Sequence, residues 1–202
     1  MRLGLFGGTF DPIHLAHLIL ADWVREEEKL DRVLFVPADT PPHKVHRTLS
    51  PPWQRLAMVR LATADCPFFE VPDLEIRRGG VSYTIDTVLA VRELYGLGSD
   101  QLFLIAGSDS LHEMDSWREP ERIFAECRVV VVRRPGFDPA EAPPQFAAKA
   151  KLSKAPLVEI SSSQIRERVR AGKSIRYLVP AGVERFIVEH GLYRVAGGTD
   201  RP

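Results

Sequence analysis

The stretch RLGLFGGTFDPIHLAHLILADW, residues 2–23, decides the fold of this chain. Its first part, residues 2–6, is a short apolar run typical of a buried strand, and it stops at two glycines. Apolar residues with helical spacing then follow, and they predict one buried helix face: Leu15, Leu18, Ile19 and Trp23. A strand that gives way to a helix in so few residues is typical of the first half of a β-α-β unit.

The same alternation continues along the chain. Further strands are predicted at 32–37, 68–71, 101–107, 128–132 and 156–160. Further helices are predicted at 51–64, 82–96, 161–172 and 180–193. Strands that alternate with helices favour an α/β fold, in which a parallel sheet is covered by helices on both faces. The segment 135–155, rich in proline and alanine, is predicted to be a surface connection with little sheet structure.

Composition narrows the classes of function. Lys plus Arg and Asp plus Glu are equal at 27 each, so no overall basic field favours nucleic acid as a partner. No apolar run approaches the roughly 20 residues of a membrane helix, and no signal peptide precedes the first strand. We therefore expect a cytoplasmic protein, with one domain at 1–195 and a flexible tail at 196–202. The sequence leaves open whether it forms a homo-oligomer.

The turn after the first strand is predicted to bind an anion. Gly7 and Gly8 let the backbone approach a phosphate, and the next helix directs its free N–H groups to the same place. His14 and His17 lie three residues apart and so point the same way. A plain tight turn would explain the glycines, and a zinc pair is the main alternative for the histidines. The stretch lacks the glutamate of H-E-x-x-H and a third ligand, which favours phosphate chemistry.

Further candidates follow other strands, whose carboxyl ends meet at one edge of a parallel sheet. His43 and Lys44 would add positive charge after the second strand, although a solvated lysine on a proline-rich loop fits equally well. Asp109 follows the 101–107 strand and could meet a ribose or a base, or cap the next helix. Trp117 could stack on an aromatic ring, although a tryptophan is more often a packing residue.

The segment SSSQIR, residues 161–166, predicts another anion site. Hydroxyl groups stand at a helix N-terminus, and the Arg166 guanidinium can clamp a phosphate through two hydrogen bonds. A capping box, with serine at the cap and Gln164 or Glu167 downstream, would also explain the segment, and it is compatible with an anion site because capping and phosphate binding use different N–H groups. Several anion sites on one edge predict a polyphosphate substrate. Phosphate monoesters are nucleophiles at neutral pH, so transfer would need only alignment and charge stabilisation.

A resemblance to known proteins rests on these motifs. GGTFDPIHLAH resembles the H-x-G-H signature of nucleotidyltransferases, which have a Rossmann-like, doubly wound parallel sheet. Further motifs resemble the bacterial nicotinate-nucleotide adenylyltransferase family in the same order: PPHK (41–44), SYT (82–84), GSD (107–109) with Trp117, RRPG (133–136), SSSQIR and YLVP (177–180). The likeness extends from Met1 to about Tyr193.

The resemblance implies adenylyl transfer from ATP to nicotinate mononucleotide, which gives deamido-NAD and pyrophosphate, with Mg²⁺ bound to ATP. It implies catalytic roles at the phosphates for His14, His17 and Arg166. It implies ATP contacts from Gly7, Gly8, Thr9, Phe10, Gly107, Asp109, Ser162 and Ser163. It implies mononucleotide contacts from His43, Lys44, Thr84 and Trp117, and it assigns no metal ligand to the chain.

Two positions depart from the family pattern. Ala16 replaces the glycine of the signature, so one extra methyl group must be accommodated beside the histidines. Ala38 stands where family members often carry asparagine, which removes one polar contact to the mononucleotide. Pantetheine-phosphate adenylyltransferase is the nearest alternative, and PPHK with Trp117 argues against it. A nucleotide-binding sensor without catalysis is disfavoured by the intact His14, His17 and Arg166.

Overall fold

The computed structural model describes residues 1–42, 46 and 48–194. Its strands are β1 (Leu3–Gly8), β2 (Arg32–Pro37), β3 (Phe69–Glu70), β4 (Leu102–Gly107), β5 (Arg128–Val132) and β6 (Lys151–Leu152). Its helices are α1 (Leu15–Glu27), α2 (Pro52–Thr63), α3 (Leu74–Arg78), α4 (Thr84–Tyr95), α5 (Ser108–His112), α6 (Pro120–Glu126), α7 (Pro144–Ala147), α8 (Ser162–Arg170) and α9 (Ala181–Glu189). Within these residues, no helix combines the length and the apolar character needed to cross a bilayer.

The strands form one six-stranded sheet in the order β3-β2-β1-β4-β5-β6, and every pair is parallel. This is the doubly wound order of Rossmann-like folds, as predicted. Strand β1 lies between β2 and β4, so the chain reverses its direction of travel across the sheet at β1 and β4. The carboxyl ends of these two strands therefore mark the topological switch point, where such sheets bind ligands.

Alternate residues of each central strand face opposite cores. Val33 and Phe35 pack with α1, α2, α8 and α9, whereas Leu34 and Val36 pack with α4 to α7. Both faces of the sheet are thereby buried, which is why the strands are apolar at almost every position. The two cores hold the strand ends rigidly, and the loops that follow them carry the polar groups.

The last predicted strand is wrong. Residues 156–160 form no strand, and Leu157 is exposed, whereas β6 lies at Lys151–Leu152, inside the segment predicted to have little sheet structure. Residues of β6 pair with Val130 and Val131, and the Ser153 N–H extends this pairing by donating to the Val131 carbonyl at 2.9 Å. An edge strand of two residues is too short to leave a periodic pattern in the sequence.

The buried face of α1 also differs from the prediction. Ile19 and Trp23 are 42% and 46% exposed, whereas His17, Leu20 and Val24 are buried. The buried face thus includes a histidine, which a search for apolar periodicity does not count. This displacement is functionally informative, because it turns His17 inward toward the end of β1.

Candidate active site

A cleft of about 650 Å³ opens at the carboxyl ends of β1 and β4. Every described residue that the sequence predicted to contact substrate lines it: Gly7, Gly8, Thr9, Phe10, His14, His17, Thr84, Gly107, Asp109, Trp117, Ser162, Ser163 and Arg166. The predicted residues His43 and Lys44 lie outside the described residues. Residues far apart in the chain meet here because the parallel strands deliver their loops to one edge.

The loop after β1 is shaped around the ring of Phe10. A Cβ atom on Gly8 would lie 2.9 Å from this ring, so glycine is required there for close approach. Phe10 itself adopts the left-handed φ of 49°, which is uncommon for a bulky residue and indicates that its surroundings hold it. The Phe10 ring is buried and meets His17 edge-on, with 5.1 Å between ring centroids.

The two histidines form one stacked unit at the start of α1. Their ring centroids are 3.7 Å apart, and the rings are nearly parallel. The His14 N–H donates to Nδ1 of His17 at 3.2 Å, so a neutral His17 ring carries its proton on Nε2. Two imidazolium ions at this distance would repel each other, so the pair cannot hold two full charges without an anion beside it.

His14 is neutral in the free protein. Burial, and to a lesser degree the positive charge of Arg134, lowers its pKa to about 3. Its Nδ1 atom is buried and makes no hydrogen bond of normal geometry, although the His14 side chain faces the His17 N–H in a capping box, and that N–H donates to the His14 carbonyl at 3.0 Å. A buried polar atom without a full hydrogen bond is costly, so a ligand group that supplied one would be favoured there.

This pKa makes a prediction about stability. Between pH 6.5 and pH 3 the unfolded chain binds a proton at His14 that the folded chain does not, so stability falls as pH falls through this window. Each pH unit well below the ordinary pKa corresponds to about 1.4 kcal/mol, and the unfolded group is already half protonated at pH 6.5, so between pH 6.5 and 4.5 the group should cost about 2 kcal/mol. Asparagine does not titrate in this range, and it is a favoured N-cap residue, so it should preserve the start of α1. Between pH 6.5 and 4.5 the free energy of unfolding of His14→Asn should therefore fall less than that of the wild type, by the amount that His14 contributes.

Urea unfolding of the wild type and His14→Asn at both pH values measures this difference. The His46→Asn variant serves as the control, since His46 is exposed. Equal losses of stability in the wild type and His14→Asn would contradict the buried neutral state of His14.

Helix α8 brings Arg166 to the same loop. Arg166 Nη1 donates to the Asp11 carbonyl at 2.7 Å, and Nη2 donates to Ser163 Oγ at 3.1 Å. The Ser162 hydroxyl donates to the Pro12 carbonyl at 2.9 Å. These hydrogen bonds hold the α8 N-terminus against the loop after β1, although the two segments are about 150 residues apart in sequence.

The predicted capping box is present at α8. Ser161 Oγ accepts from the Gln164 N–H at 3.2 Å, and the Gln164 side chain accepts from the Ser161 N–H at 3.0 Å. Since Ser162 uses its hydroxyl on Pro12, its contribution to an anion site would come from the backbone N–H. The helix dipole directs positive potential to the same point.

The end of β4 holds an ion pair. Asp109 Oδ1 and Arg134 Nε are 3.4 Å apart, and both flank Gly107. A Cβ atom on Gly107 would overlap the Asp109 carboxylate and lie 2.8 Å from Arg134 Nε. Glycine is therefore required at this position so that the ion pair can close over the strand end.

The other end of the cleft contains aromatic groups and a helix start. Thr84 is the first residue of α4, and Tyr83 and Trp117 are partly buried against the second core. The Arg118 guanidinium lies over the Tyr83 ring, 4.8 Å from its centroid. Burial raises the pKa of Glu75, which also lines this end and accepts from the Thr87 hydroxyl at 2.5 Å.

Several site residues were not predicted from the sequence. Asp11 is buried and accepts hydrogen bonds from the Tyr193 hydroxyl at 2.6 Å and the Ser50 N–H at 3.3 Å. Burial raises the pKa of Tyr193, and the Asp11 charge raises it further. Asp11 and Arg134 lie within the GGTFDPIHLAH and RRPG motifs, so the sequence could have indicated them. Tyr193 could not have been found from neighbouring residues, because its partner Asp11 is 182 residues away.

Ala16 and Ala38, the two departures from the family pattern, are both buried in the structure. Ala16 is buried within an uninterrupted α1, so its methyl group fits beside the histidines. Ala38 lines the cleft and uses its main chain: its N–H donates to the Gly8 carbonyl at 2.9 Å.

Comparison with known proteins agrees with this geometry. The model of the family described as Cytidylyltransferase-like matches residues 5–168. The curated "Probable nicotinate-nucleotide adenylyltransferase" of Desulfitobacterium hafniense (strain Y51) is 43% identical over 201 residues, which is 96% of each chain. That of Thermus thermophilus is 46% identical over 198 residues and covers 96% of this chain and 100% of the relative.

The chain belongs to the nicotinate-nucleotide adenylyltransferase family. Solved structures agree on its fold: the Plasmodium falciparum nicotinic acid mononucleotide adenylyltransferase complexed with NaAD superposes with a TM-score of 0.76 at 20% identity, over 95% of this chain and 97% of that one. The same enzyme complexed with APC gives a TM-score of 0.74 at 19% identity, over 95% and 96%. The nucleotidyltransferase type of sheet predicted from the sequence is confirmed.

Proposed function

We propose that this chain transfers the adenylyl group of ATP to nicotinate mononucleotide in NAD biosynthesis, forming deamido-NAD and pyrophosphate. The observation that carries this proposal is the assembly, in one cleft, of the His14–His17 pair and Arg166 at two helix N-termini. Relatives of 43–46% identity that bear the name of this activity support it. The cleft is large enough for a small-molecule substrate, since such pockets typically hold about 300–1,000 Å³.

ATP occupies the half of the cleft nearest β1 and β4 in this proposal. Its phosphates lie between the histidine pair and the α8 N-terminus, where Ser162, Ser163 and Arg166 face them. Gly7, Gly8, Thr9 and Phe10 form the wall behind the phosphates, and Gly107 with Asp109 contacts the adenosine. Negative phosphates beside His14 would raise its pKa from the lowered value of the free protein and so favour its protonated form.

Nicotinate mononucleotide occupies the other half. Thr84 at the start of α4 faces the pyridine carboxylate, where free N–H groups and the helix dipole favour an anion. Trp117 stacks on the pyridine ring, and His43 and Lys44 hold the mononucleotide phosphate. Arg118, which lines the same end, adds positive charge beside the carboxylate.

The chemistry requires no nucleophile from the protein. An oxygen of the mononucleotide phosphate forms a bond to the α-phosphorus of ATP, and the bond from this phosphorus to the bridging oxygen breaks. The electron pair of that bond leaves with pyrophosphate. The chain aligns the two phosphates and supplies hydrogen bonds to the charge that develops on the α-phosphate and on the leaving group.

Mg²⁺ is proposed as the partner of ATP. No group of three or more His, Cys, Asp or Glu side chains in the described parts of the chain is placed to hold a metal ion. Mg²⁺ is usually bound through substrate phosphates and water rather than in a cage made by protein, so the proposal assigns the ion to ATP. When bound, the ion neutralises phosphate charge, while His14, His17 and Arg166 orient the phosphates.

Pyrophosphate release tests the proposed function. The protein is incubated with Mg-ATP and, in separate reactions, with nicotinate mononucleotide, its amide analogue or phosphopantetheine. Release with nicotinate mononucleotide, together with deamido-NAD as the product, supports the proposal. Release with phosphopantetheine alone would reassign the acceptor, and no release with any acceptor would favour a sensor.

Gly107→Ala tests the adenosine end of the cleft. The added methyl group must displace the Asp109 carboxylate and the Arg134 guanidinium, which are flexible side chains, so the fold should persist. We expect kcat/KM for ATP to fall about 10- to 100-fold, as for a small displacement of a substrate-positioning group. Steady-state kinetics and thermal unfolding measure both effects.

Gly182→Ala is the matched control, because a Cβ atom there meets Leu61 only at ordinary contact distances. It should leave the kinetics unchanged. A Gly107→Ala enzyme with the wild-type kcat/KM for ATP would exclude Gly107 and Asp109 from the proposed adenosine contact.

A further inference from the structure

Arg55 is a buried guanidinium that no motif pointed to. It lies on α2, is 1% exposed, and hydrogen-bonds to main-chain carbonyl oxygens. Nε donates to Ser50 at 2.9 Å, and Nη1 donates to Thr9 at 2.8 Å and to Ala38 at 2.6 Å. Nη2 donates to Asp39 at 2.7 Å. Each bond has the short length typical of a charge-assisted hydrogen bond.

These carbonyl groups belong to different parts of the site. Thr9 follows β1 and lies in the wall proposed for the ATP phosphates, whereas Ala38 and Asp39 follow β2, on the side proposed for the acceptor phosphate. The planar guanidinium presents its donors in a fixed fork. One rigid group therefore joins the two loops beyond the point where the β1–β2 pairing ends, at the hydrogen bond from the Ala38 N–H to the Gly8 carbonyl.

Burying the Arg55 charge costs free energy, which indicates that its role is to hold the positions of the carbonyl groups that it binds. Burial lowers the pKa of Arg55, and the negative charges of Asp11, Asp39 and Glu75 only partly oppose this effect. Replacing a buried charge by an apolar side chain often stabilises a protein. Here an apolar side chain would leave four converging carbonyl dipoles unpaired and mutually repulsive.

A second observation connects Arg55 to the reacting groups. The carbonyl that it holds on Thr9 belongs to the peptide joining Thr9 to Phe10, and Phe10 has the left-handed φ of 49°. The Phe10 ring contacts the edge of His17. A shift of the Thr9–Phe10 peptide would therefore be transmitted to the histidine pair, although Arg55 itself is not among the residues that line the cleft.

We propose that Arg55 is a positioning residue for adenylyl transfer: it fixes the spacing of the β1 and β2 loops so that the donor and acceptor phosphates meet in line. This inference rests on the proposed function. It concerns alignment between the two substrates rather than the contacts of either one. Loss of Arg55 should therefore affect turnover more than the binding of each substrate alone.

The test compares Arg55→Lys, which keeps the charge but lacks the fork, with Arg55→Ala. In Arg55→Lys we expect kcat to fall about 10²-fold. Dissociation constants for ATP alone and for the mononucleotide alone should change less than about 5-fold, in line with lost alignment rather than lost contacts. In Arg55→Ala, guanidinium ion at low millimolar concentration should restore part of kcat by occupying the vacated site, whereas urea at the same concentration should not.

Arg60→Lys is the matched control on the same helix, since Arg60 is exposed and lies 3.7 Å from Asp73. All rates are expressed per folded molecule, measured by circular dichroism. A folded Arg55→Lys enzyme with wild-type kcat overturns the proposal. Failure of both Arg55 variants to fold also overturns it, because Arg55 would then be required for the stability of the fold. A wild type that releases no pyrophosphate would instead overturn the proposed function.

Discussion

His17→Asn is expected to lower kcat for pyrophosphate release by about 10²- to 10³-fold, the usual loss when one donor to a developing charge is removed. The asparagine side-chain oxygen can take the place of Nδ1, which accepts the His14 N–H, so the start of α1 should be preserved. What is lost is Nε2, the atom that carries the proton. The measurement is steady-state turnover with ATP and nicotinate mononucleotide.

His17→Gln is the matched variant, because glutamine places its amide nearer the position of Nε2. It should retain more activity than His17→Asn. Alanine is a poorer test, since the His17 ring is buried against Phe6 and Phe10 and its removal would leave a cavity that lowers stability. Wild-type turnover in His17→Asn would exclude His17 from phosphate stabilisation.

Arg166→Gln is expected to reduce kcat/KM for ATP by about 10²- to 10³-fold, because it removes the cation that faces the phosphates. The change also deletes the hydrogen bond from Nη1 to the Asp11 carbonyl, which holds the β1 loop to α8. Arg166→Lys keeps the charge without the two-pronged geometry, so it should recover only part of the loss. Titration of each variant with Mg-ATP measures KM and kcat separately.

Arg168→Gln, on the same helix, provides the control. Arg168 is exposed and donates to the Ser174 carbonyl at 2.8 Å, away from the cleft, so its loss should leave the KM for ATP unchanged. An Arg166→Gln enzyme with the KM and kcat of the wild type would contradict the proposed phosphate clamp.

The sequence was sufficient to predict strands β1 to β5, the longer helices α1, α2, α4, α8 and α9, and the gathering of the motif residues, whereas the short helices α3, α5, α6 and α7 were not predicted. An apolar run such as 101–107 forms a strand that is buried on both faces. A strand of this kind can be predicted because its own residues are nearly all apolar. Since parallel strands place their carboxyl ends at one edge, His14 and Arg166 could be assigned to one site from the predicted topology alone. The errors at β6 and on the face of α1 arose where the local pattern was short or included a histidine.

By itself, then, the sequence determined a parallel sheet covered by helices and predicted a phosphate-binding edge, because hydrophobic periodicity and helix-start chemistry act over a few neighbouring residues. Only the tertiary structure decided that burial keeps His14 neutral, that the Tyr193 hydroxyl donates to Asp11, and that Arg55 joins the loops after β1 and β2. Protonation depends on how much water the whole fold removes, and these hydrogen bonds join residues that are remote in the chain. Such properties arise from tertiary packing, so they cannot be predicted from a local sequence pattern.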